Sequence, residues 1–327
     1  MGMTYIILLN YNGYEDTIEC LESLLKLKII NYQIIVIDNS ETNTSINYFQ
    51  KWAKGERESI VTSFPSIIYP LQEKPIDCIF IEENELINFK KNKIIFTKAK
   101  ENKGFAAGNN IALHYILKYG NKDSFIWLLN NDTIVENNTL SSLIACYEKD
   151  KSVGILGAKL LYYYEPSKIQ TIGGKFHPKF YYPYLVGEGL KATINKLEEK
   201  IDYAIGASLF VSYENLNKIG VLCEDYFLYY EELDWSYRAK QEGLKTDWCP
   251  EAIVYHKEGK SIGTSSNHKK RSILSQKHMF RSRKIFCEKY YKISFQFYTS
   301  TFLMFFNRIR RFNFTEARIV LESMFIK

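Results

Sequence analysis

The sequence predicts an α/β protein with a mostly parallel sheet, helices on both of its faces, and a helical, basic C-terminal extension. Three observations carry this. Apolar, β-branched runs of strand length occur at TYIILLN (4–10), QIIVIDNS (33–40), KIIFTK (93–98) and SFIWLLNND (124–132). Continuous runs of this kind suit strands buried on both faces. Segments of helical spacing separate them, giving the β-α-β pattern of a parallel sheet with right-handed crossovers.

Taken in order, TYIILLN is the first strand. In Asp16–Leu27, Ile18, Leu21 and Leu25 share one helical face, and Asp16 or Thr17 can cap it. QIIVIDNS is the second strand. Residues 41–92, broken by Gly55, Pro65, Pro70 and Pro75, read as a surface insertion with a helix near 43–53 and weak strands. After KIIFTK, ENKGFAAGNNIALHYIL turns into a helix, SFIWLLNND is a further strand, and a helix covers 139–149. KLLYYYE, KIQTIGG and YYPYLVGEG are short and aromatic, as in antiparallel or irregular structure. DYAIGASLFVSY (202–213) is a strand, EELDWSYRAKQEG (231–243) a helix ended by Gly243, and KTDWCPEAIVYH (245–256) a last strand.

Charge divides the chain. Residues 268–327 hold 14 Lys or Arg against 3 Asp or Glu, a net of +11, so the first 267 residues carry −5 of the overall +6. Such a tail points to an anionic surface. The chain is expected as a unit over 1–267, with a first half to about 135 and a second half over 136–267, followed by the 268–327 extension. Ordinary apolar and charged fractions, 46% and 24%, exclude disordered and fibrous classes. The six cysteines form no CxxC pair, so reduced core thiols are expected rather than a disulfide framework or zinc ribbon. The N-terminus lacks the pattern of a signal peptide. The apolar stretch 293–306 is shorter than the ~20 residues that span a bilayer.

Chemistry-bearing residues collect at strand ends, where open α/β sheets bind ligands. Asn10-Tyr11-Asn12, Asp38-Asn39-Ser40 and Asn130-Asn131-Asp132 each follow an apolar run. Turn chemistry accounts for any one of them, but less readily for three at equivalent ends. Asp132 offers a hard oxygen to Mg²⁺ or Mn²⁺. NKGFAAGNN brings small residues to a helix start but is not GxGxxG, so a dinucleotide fingerprint is absent. Glu231 and Glu232 open a helix, where the dipole stabilises carboxylates and where a paired acid can act as general base. Asp234 and Arg238 form a structural i,i+4 pair. His256 ends a strand and is followed by the polar GKSIG.

Together LLNYNGYEDTIECLESLL, IIVIDNSE, ENKGFAAGNNIAL, WLLNNDT, DYAIGASLFV, YFLYYEELDWSYRAKQEG and VYHKEGKS resemble, in order, the family 2 inverting glycosyltransferases of GT-A fold, nearest to the bacterial rhamnosyltransferase-like branch. The resemblance runs from residue 4 to about 263 and implies a Rossmann-like GT-A catalytic domain. It implies that Leu9 and Tyr11 contact a nucleobase that Asp38 hydrogen-bonds, that Asn102, Gly108 and Asn131 belong to the donor side, and that Asp132 and His256 hold a divalent metal (Mg²⁺ or Mn²⁺). Glu232, with Glu231 beside it, matches the general base, and Asp202 and Gly206 the acceptor side. The motif departs from the acidic form, since Asn130 and Asn131 are amides.

The implied reaction moves a sugar from a nucleoside-diphosphate sugar to a glycan or polyprenyl-linked acceptor in surface polysaccharide assembly. dTDP-rhamnose is the first expectation for the donor and UDP-hexoses the next. The alternative is a non-catalytic sugar- or nucleotide-binding module on the same fold. No nucleic-acid partner is expected. The tail is expected to seat a cytoplasmic enzyme peripherally on the inner face of a bacterial plasma membrane, with packing on the enzyme or a homodimer through the tail as the other reading.

Overall fold

The computed structural model describes residues 2–56, 59–258, 272–291 and 293–325; the GKSIG loop lies outside them. The elements run β1 (Thr4–Asn10), α1 (Tyr14–Leu24), β2 (Tyr32–Asp38), α2 (Thr44–Lys54), α3 (Pro65–Ile68), β3 (Cys78–Glu82), β4 (Ile94–Lys98), α4 (Phe105–Tyr119), β5 (Phe125–Asn130), β6 (Thr133–Val135), α5 (Thr139–Lys149) and β7 (Val153–Tyr162). They continue with β8 (Glu165–Thr171), β9 (Gly173–His177), β10 (Tyr182–Val186), β11 (Ser208–Ser212), α6 (Tyr213–Ile219), α7 (Glu231–Gln241), β12 (Lys245–His256), α8 (Ile273–Tyr290), α9 (Phe295–Arg310) and α10 (Phe314–Glu322).

A ten-stranded sheet has the order β3-β4-β2-β1-β5-β11-β7-β12-β6, with β8 added beside β7. From β3 to β5 every pairing is parallel, and β12 is parallel to β7. β11 runs against both β5 and β7, and β6 against β12. β9 and β10 form a separate antiparallel hairpin.

The unbroken apolar runs have a simple cause. Ile6, Leu8, Ile34, Val36, Ile94 and Phe96 face one layer, with α1, α2 and α5. Ile7, Ile35, Ile37, Ile95 and Leu128 face the other, with α4, α6 and α7. Alternate side chains point to opposite faces, so a strand covered on both sides needs apolar residues at every position.

Three expectations are corrected. Residues 41–92 are not a surface insertion: β3 extends the parallel sheet, and Phe49, Trp52 and Ile68 are fully buried in the first layer. The ring of Phe96 stacks between Phe49 at 5.0 Å and Phe80 at 4.6 Å, within the first layer. Second, Cys146 and Cys249 are not reduced thiols but a disulfide, while Cys20, Cys78, Cys223 and Cys287 are free. α5 packs on β12 and brings the two Cα atoms to 6.0 Å despite a separation of 103 residues. Third, the strand expected over 202–213 is confined to Ser208–Ser212. The preceding residues are held irregularly, with the Asp202 and Tyr203 amides both donating to the Gly174 carbonyl.

The described part of the extension is helical. α8 lies against the second half: Phe286 is fully buried among Phe176, Tyr230, Tyr237 and Tyr290. Buried Arg283 donates to the Tyr181 carbonyl at 2.6 Å and to Thr301 Oγ1 at 2.9 Å, tying α8 to the β9–β10 hairpin and to α9.

Candidate active site

Register places the three polar strand ends side by side. Asn10 is opposite Asp38 on one flank, and Leu9 is opposite Asn130 on the other. Asn10 is the hub. Its Nδ2 donates to Asp38 Oδ1 at 2.8 Å, and its Oδ1 accepts from Thr17 Oγ1 at 3.0 Å and Gly13 N at 3.1 Å. Asp38 is fully buried: Oδ1 also accepts from the Ser40 amide at 3.1 Å, and Oδ2 lies 3.4 Å from Lys98 Nζ. Asn131 turns inward, donating to Thr17 Oγ1 at 2.9 Å and Asn10 Oδ1 at 3.3 Å. Asp38 and Asn131 therefore stand in a bracing network beneath the strand ends, whereas Tyr11 lies half-buried beyond β1.

The α4 start closes on this edge. A Cβ on Gly108 would lie 2.5 Å from Leu9 Cδ1 and 2.7 Å from Asn39 Nδ2, so only glycine lets the helix come this close. Asn102 Oδ1 accepts from the Gly104 amide at 3.0 Å and holds the turn into α4. A cavity of about 600 Å³ flanks α4 and touches Gly108, Asn110, His114 and Glu224, but not Asp132, Glu232 or His256.

Asp132 and His256 are brought together by the β6–β12 pairing. The His256 Nε2 is 3.2 Å from Asp132 Oδ1, and both side chains are nearly buried. Burial alone would lower the imidazole pKa, but the Asp132 carboxylate beside it outweighs this and holds it above the ordinary value. Two further residues complete the cluster. Asn130 Nδ2 lies 3.4 Å from His256 Nε2, and Gln170 Oε1 lies 2.8 Å from Nδ1. The protonated ring donates from Nδ1 to Gln170 and from Nε2 to Asp132; loss of the Nε2 proton would free that lone pair for a cation while Nδ1–H stays on Gln170. One carboxylate oxygen and one imidazole nitrogen at the strand ends are groups that could hold a divalent ion.

Asn130 was legible as part of the polar strand end Asn130-Asn131-Asp132. Gln170 carried no such signal, because β8 reaches His256 only through pairing with β7. Behind the site, Lys257 ties the end of β12 to α1, with Nζ 2.5 Å from Asp16 Oδ1 and also paired with Glu19.

The acids of α7 are presented by a turn of unusual backbone. Tyr229 and Tyr230 have φ of +67° and +74° and occupy the left-handed region. Such residues cost roughly 1 kcal/mol or more each and persist only where packing holds them. Tyr230 is buried against Phe286, and the Tyr229 hydroxyl is 2.6 Å from Ser275 Oγ, so α8 holds the turn.

Beyond that turn, Glu231 Oε2 and Glu232 Oε2 are buried without a hydrogen-bond partner. Burial pushes the Glu232 carboxyl up to about 7. Burial, and then the neighbouring Glu232 charge, raises Glu231 well above the carboxylate range. Gly206 lies next to Glu232: a Cβ there would be 4.0 Å from its carboxyl carbon. Asp202 is turned away, its Oδ2 accepting from the Phe176 amide at 2.9 Å. Asp234 and Arg238 form the expected pair at 2.7 Å.

The sheet and the helices flanking it have the GT-A fold. No known family profile matches the chain. It is similar to the low-salt glycan biosynthesis hexosyltransferase Agl10 of Haloferax volcanii, 26% identical over 160 residues, which is 48% of this chain and 50% of that protein. The chain thus aligns with about half the length of that curated relative. Among solved structures it is similar to GalNAc-T7 with UDP, GalNAc and Mn²⁺ (TM-score 0.57, 13% identity, 88% of this chain and 48% of that one). It is also similar to the mannosyltransferase PcManGT of Pyrobaculum calidifontis in complex with GDP-Man and Mn²⁺ (TM-score 0.50, 11% identity, 98% and 74%).

Proposed function

We propose that this protein is a family 2 glycosyltransferase of the hexosyltransferase class, moving a sugar from a nucleoside-diphosphate sugar to an acceptor hydroxyl with inversion. The observation that carries the proposal is the partnerless, buried oxygen of Glu232 beside Gly206, on the same fold as the Asp132–His256 pair. The hexosyltransferase name of the half-length relative, and the nucleotide sugars and Mn²⁺ named with the solved structures, support the reading.

In this reading Glu232 accepts the proton of the acceptor hydroxyl through its free oxygen. The hydroxyl oxygen bonds to the anomeric carbon as the bond to the diphosphate oxygen breaks. A single displacement inverts that centre and needs no enzyme-bound sugar. A pKa of about 7 leaves Glu232 divided between its acid and base forms near neutrality, with the proton-accepting form gaining as pH rises. Glu231 holds the second carboxyl of the pair.

Asp132 and His256 would hold the divalent ion, Mg²⁺ or Mn²⁺, which when bound offsets charge on the leaving diphosphate. Leu9, Tyr11 and Gly108 border the donor side, with Asp38, Asn102 and Asn131 fixing its floor. dTDP-rhamnose is the proposed donor, UDP-hexose the next, and a glycan or lipid-linked sugar the acceptor.

The amides Asn130 and Asn131 favour a second reading, a binding module without turnover, since a single carboxylate remains in the motif. Mass spectrometry of nucleoside diphosphate released from a panel of sugar nucleotides, with and without acceptor glycans, tests both. Donor-specific release supports the transferase. Donor binding without release across acceptors favours the module.

A further inference from the structure

α9 has one face packed and one face bare. Phe297, Ser300 and Thr301 are buried toward α8 and the β9–β10 hairpin. On the opposite side Phe295, Phe302 and Phe306 stand at i, i+7 and i+11 and are 87%, 45% and 60% exposed. At 3.6 residues per turn these three form one stripe. Tyr298 and Leu303 flank it, and Phe312 and Phe314 continue the exposed aromatics beyond the helix. Large exposed apolar stretches of this kind mark interaction surfaces.

The charge around the stripe names the occupant. α9 contains no acidic residue, and exposed Arg310 and Arg311 close its C-terminal end. The 268–327 segment carries 14 basic residues against 3 acidic ones. No described helix is long and apolar enough to cross a membrane. With 16 residues, α9 extends about 24 Å, short of the ~30 Å hydrocarbon core. A short helix with an aromatic stripe and flanking cations matches one lying in the plane of a lipid surface. An identical copy is the poorer fit, because α9 offers no acid to meet the Arg310 and Arg311 of a partner.

We propose that α9 docks the protein on an anionic bilayer, with Phe295, Phe302 and Phe306 entering the acyl boundary and Arg310 and Arg311 meeting lipid phosphates. The sugar-transfer reading is not needed for this, and either can fail without the other.

The test is flotation of the full-length protein with vesicles of phosphatidylcholine, alone or mixed with phosphatidylglycerol, at low and high salt. The protein rises with the mixed vesicles at low salt and much less with phosphatidylcholine alone or at high salt. Phe302→Ser with Phe306→Ser weakens partitioning about tenfold or more while leaving the circular dichroism spectrum unchanged. As a measurement free of folding effects, Phe302→Trp shows a blue-shifted emission component only when anionic vesicles are added. A protein that stays at the bottom with every vesicle overturns the proposal, as does equal flotation with phosphatidylcholine alone. A concentration-dependent dimer abolished by the double serine variant, with no flotation, assigns the face to a second copy instead.

Discussion

Lys289 Nζ lies 2.6 Å from Asp234 Oδ1, joining α8 to the helix that carries Glu232. The Asp234 side chain is fully buried and also receives Arg238 Nε at 2.7 Å, the Tyr290 hydroxyl at 2.8 Å and the Tyr226 hydroxyl at 3.3 Å. The ion pair is a joint between the basic extension and α7. Lys289→Met should therefore cost about 1–2 kcal/mol, less than for a wholly buried pair because Arg238 still neutralises Asp234. Urea unfolding measures it, and an unchanged midpoint would show that the joint carries no load.

Glu232→Gln should lower turnover by ~10²–10⁴-fold and leave donor binding intact, because the amide keeps the shape but cannot accept a proton. Glu231→Gln should have the smaller effect. Steady-state rates alongside donor titration by calorimetry check this; the reverse ranking would move the base to Glu231.

The pH profile follows from the raised Glu232 pKa. Under the proposed reading Glu232 works deprotonated, so kcat/KM should climb through about 7 and level off above it. Stability should change in the opposite sense. With the folded-state pKa raised, the native protein holds a proton that the unfolded chain has released, so stability falls as pH rises from about 4.5 to about 7. Glu232→Gln should remove its own share of that fall and raise stability at pH 8 relative to pH 5, while the raised Glu231 carboxyl keeps a remaining pH dependence. Thermal melts at pH 5 and pH 8 decide it.

Asp132→Ala should abolish most of the activity, since no neighbouring acid in the motif can replace it. Chelation should do the same, with recovery on adding Mn²⁺ or Mg²⁺. Full activity of demonstrably metal-free protein would refute the assignment of Asp132 and His256.

Much of the sheet was readable because doubly covered strands must be apolar throughout, as in β1 and β2. The places of Asp132, His256 and Glu232 in the fold were readable because the strands and helix beside them are plain from their neighbours. What stayed hidden depended on contacts between distant segments. Cys146 and Cys249 meet only because α5 lies on β12. Gln170 meets His256 only through strand pairing. The burial of Trp52 depends on Glu22 across the layer, whose Oε1 accepts the indole N–H at 2.8 Å. The tail showed its charge plainly, but not that Phe286 would anchor α8 while α9 kept a bare side.

The left-handed turn at Tyr229–Tyr230 bears on how the molecule comes into being. A ribosome releases residues in order, and every strand of the main sheet is available once β12 has emerged. The turn still lacks its clasp at that stage, because Ser275 and Phe286 come later. The part of the chain that positions the two acids is thus the last to be made, and any role the proposed reading gives them waits on residues 273–290.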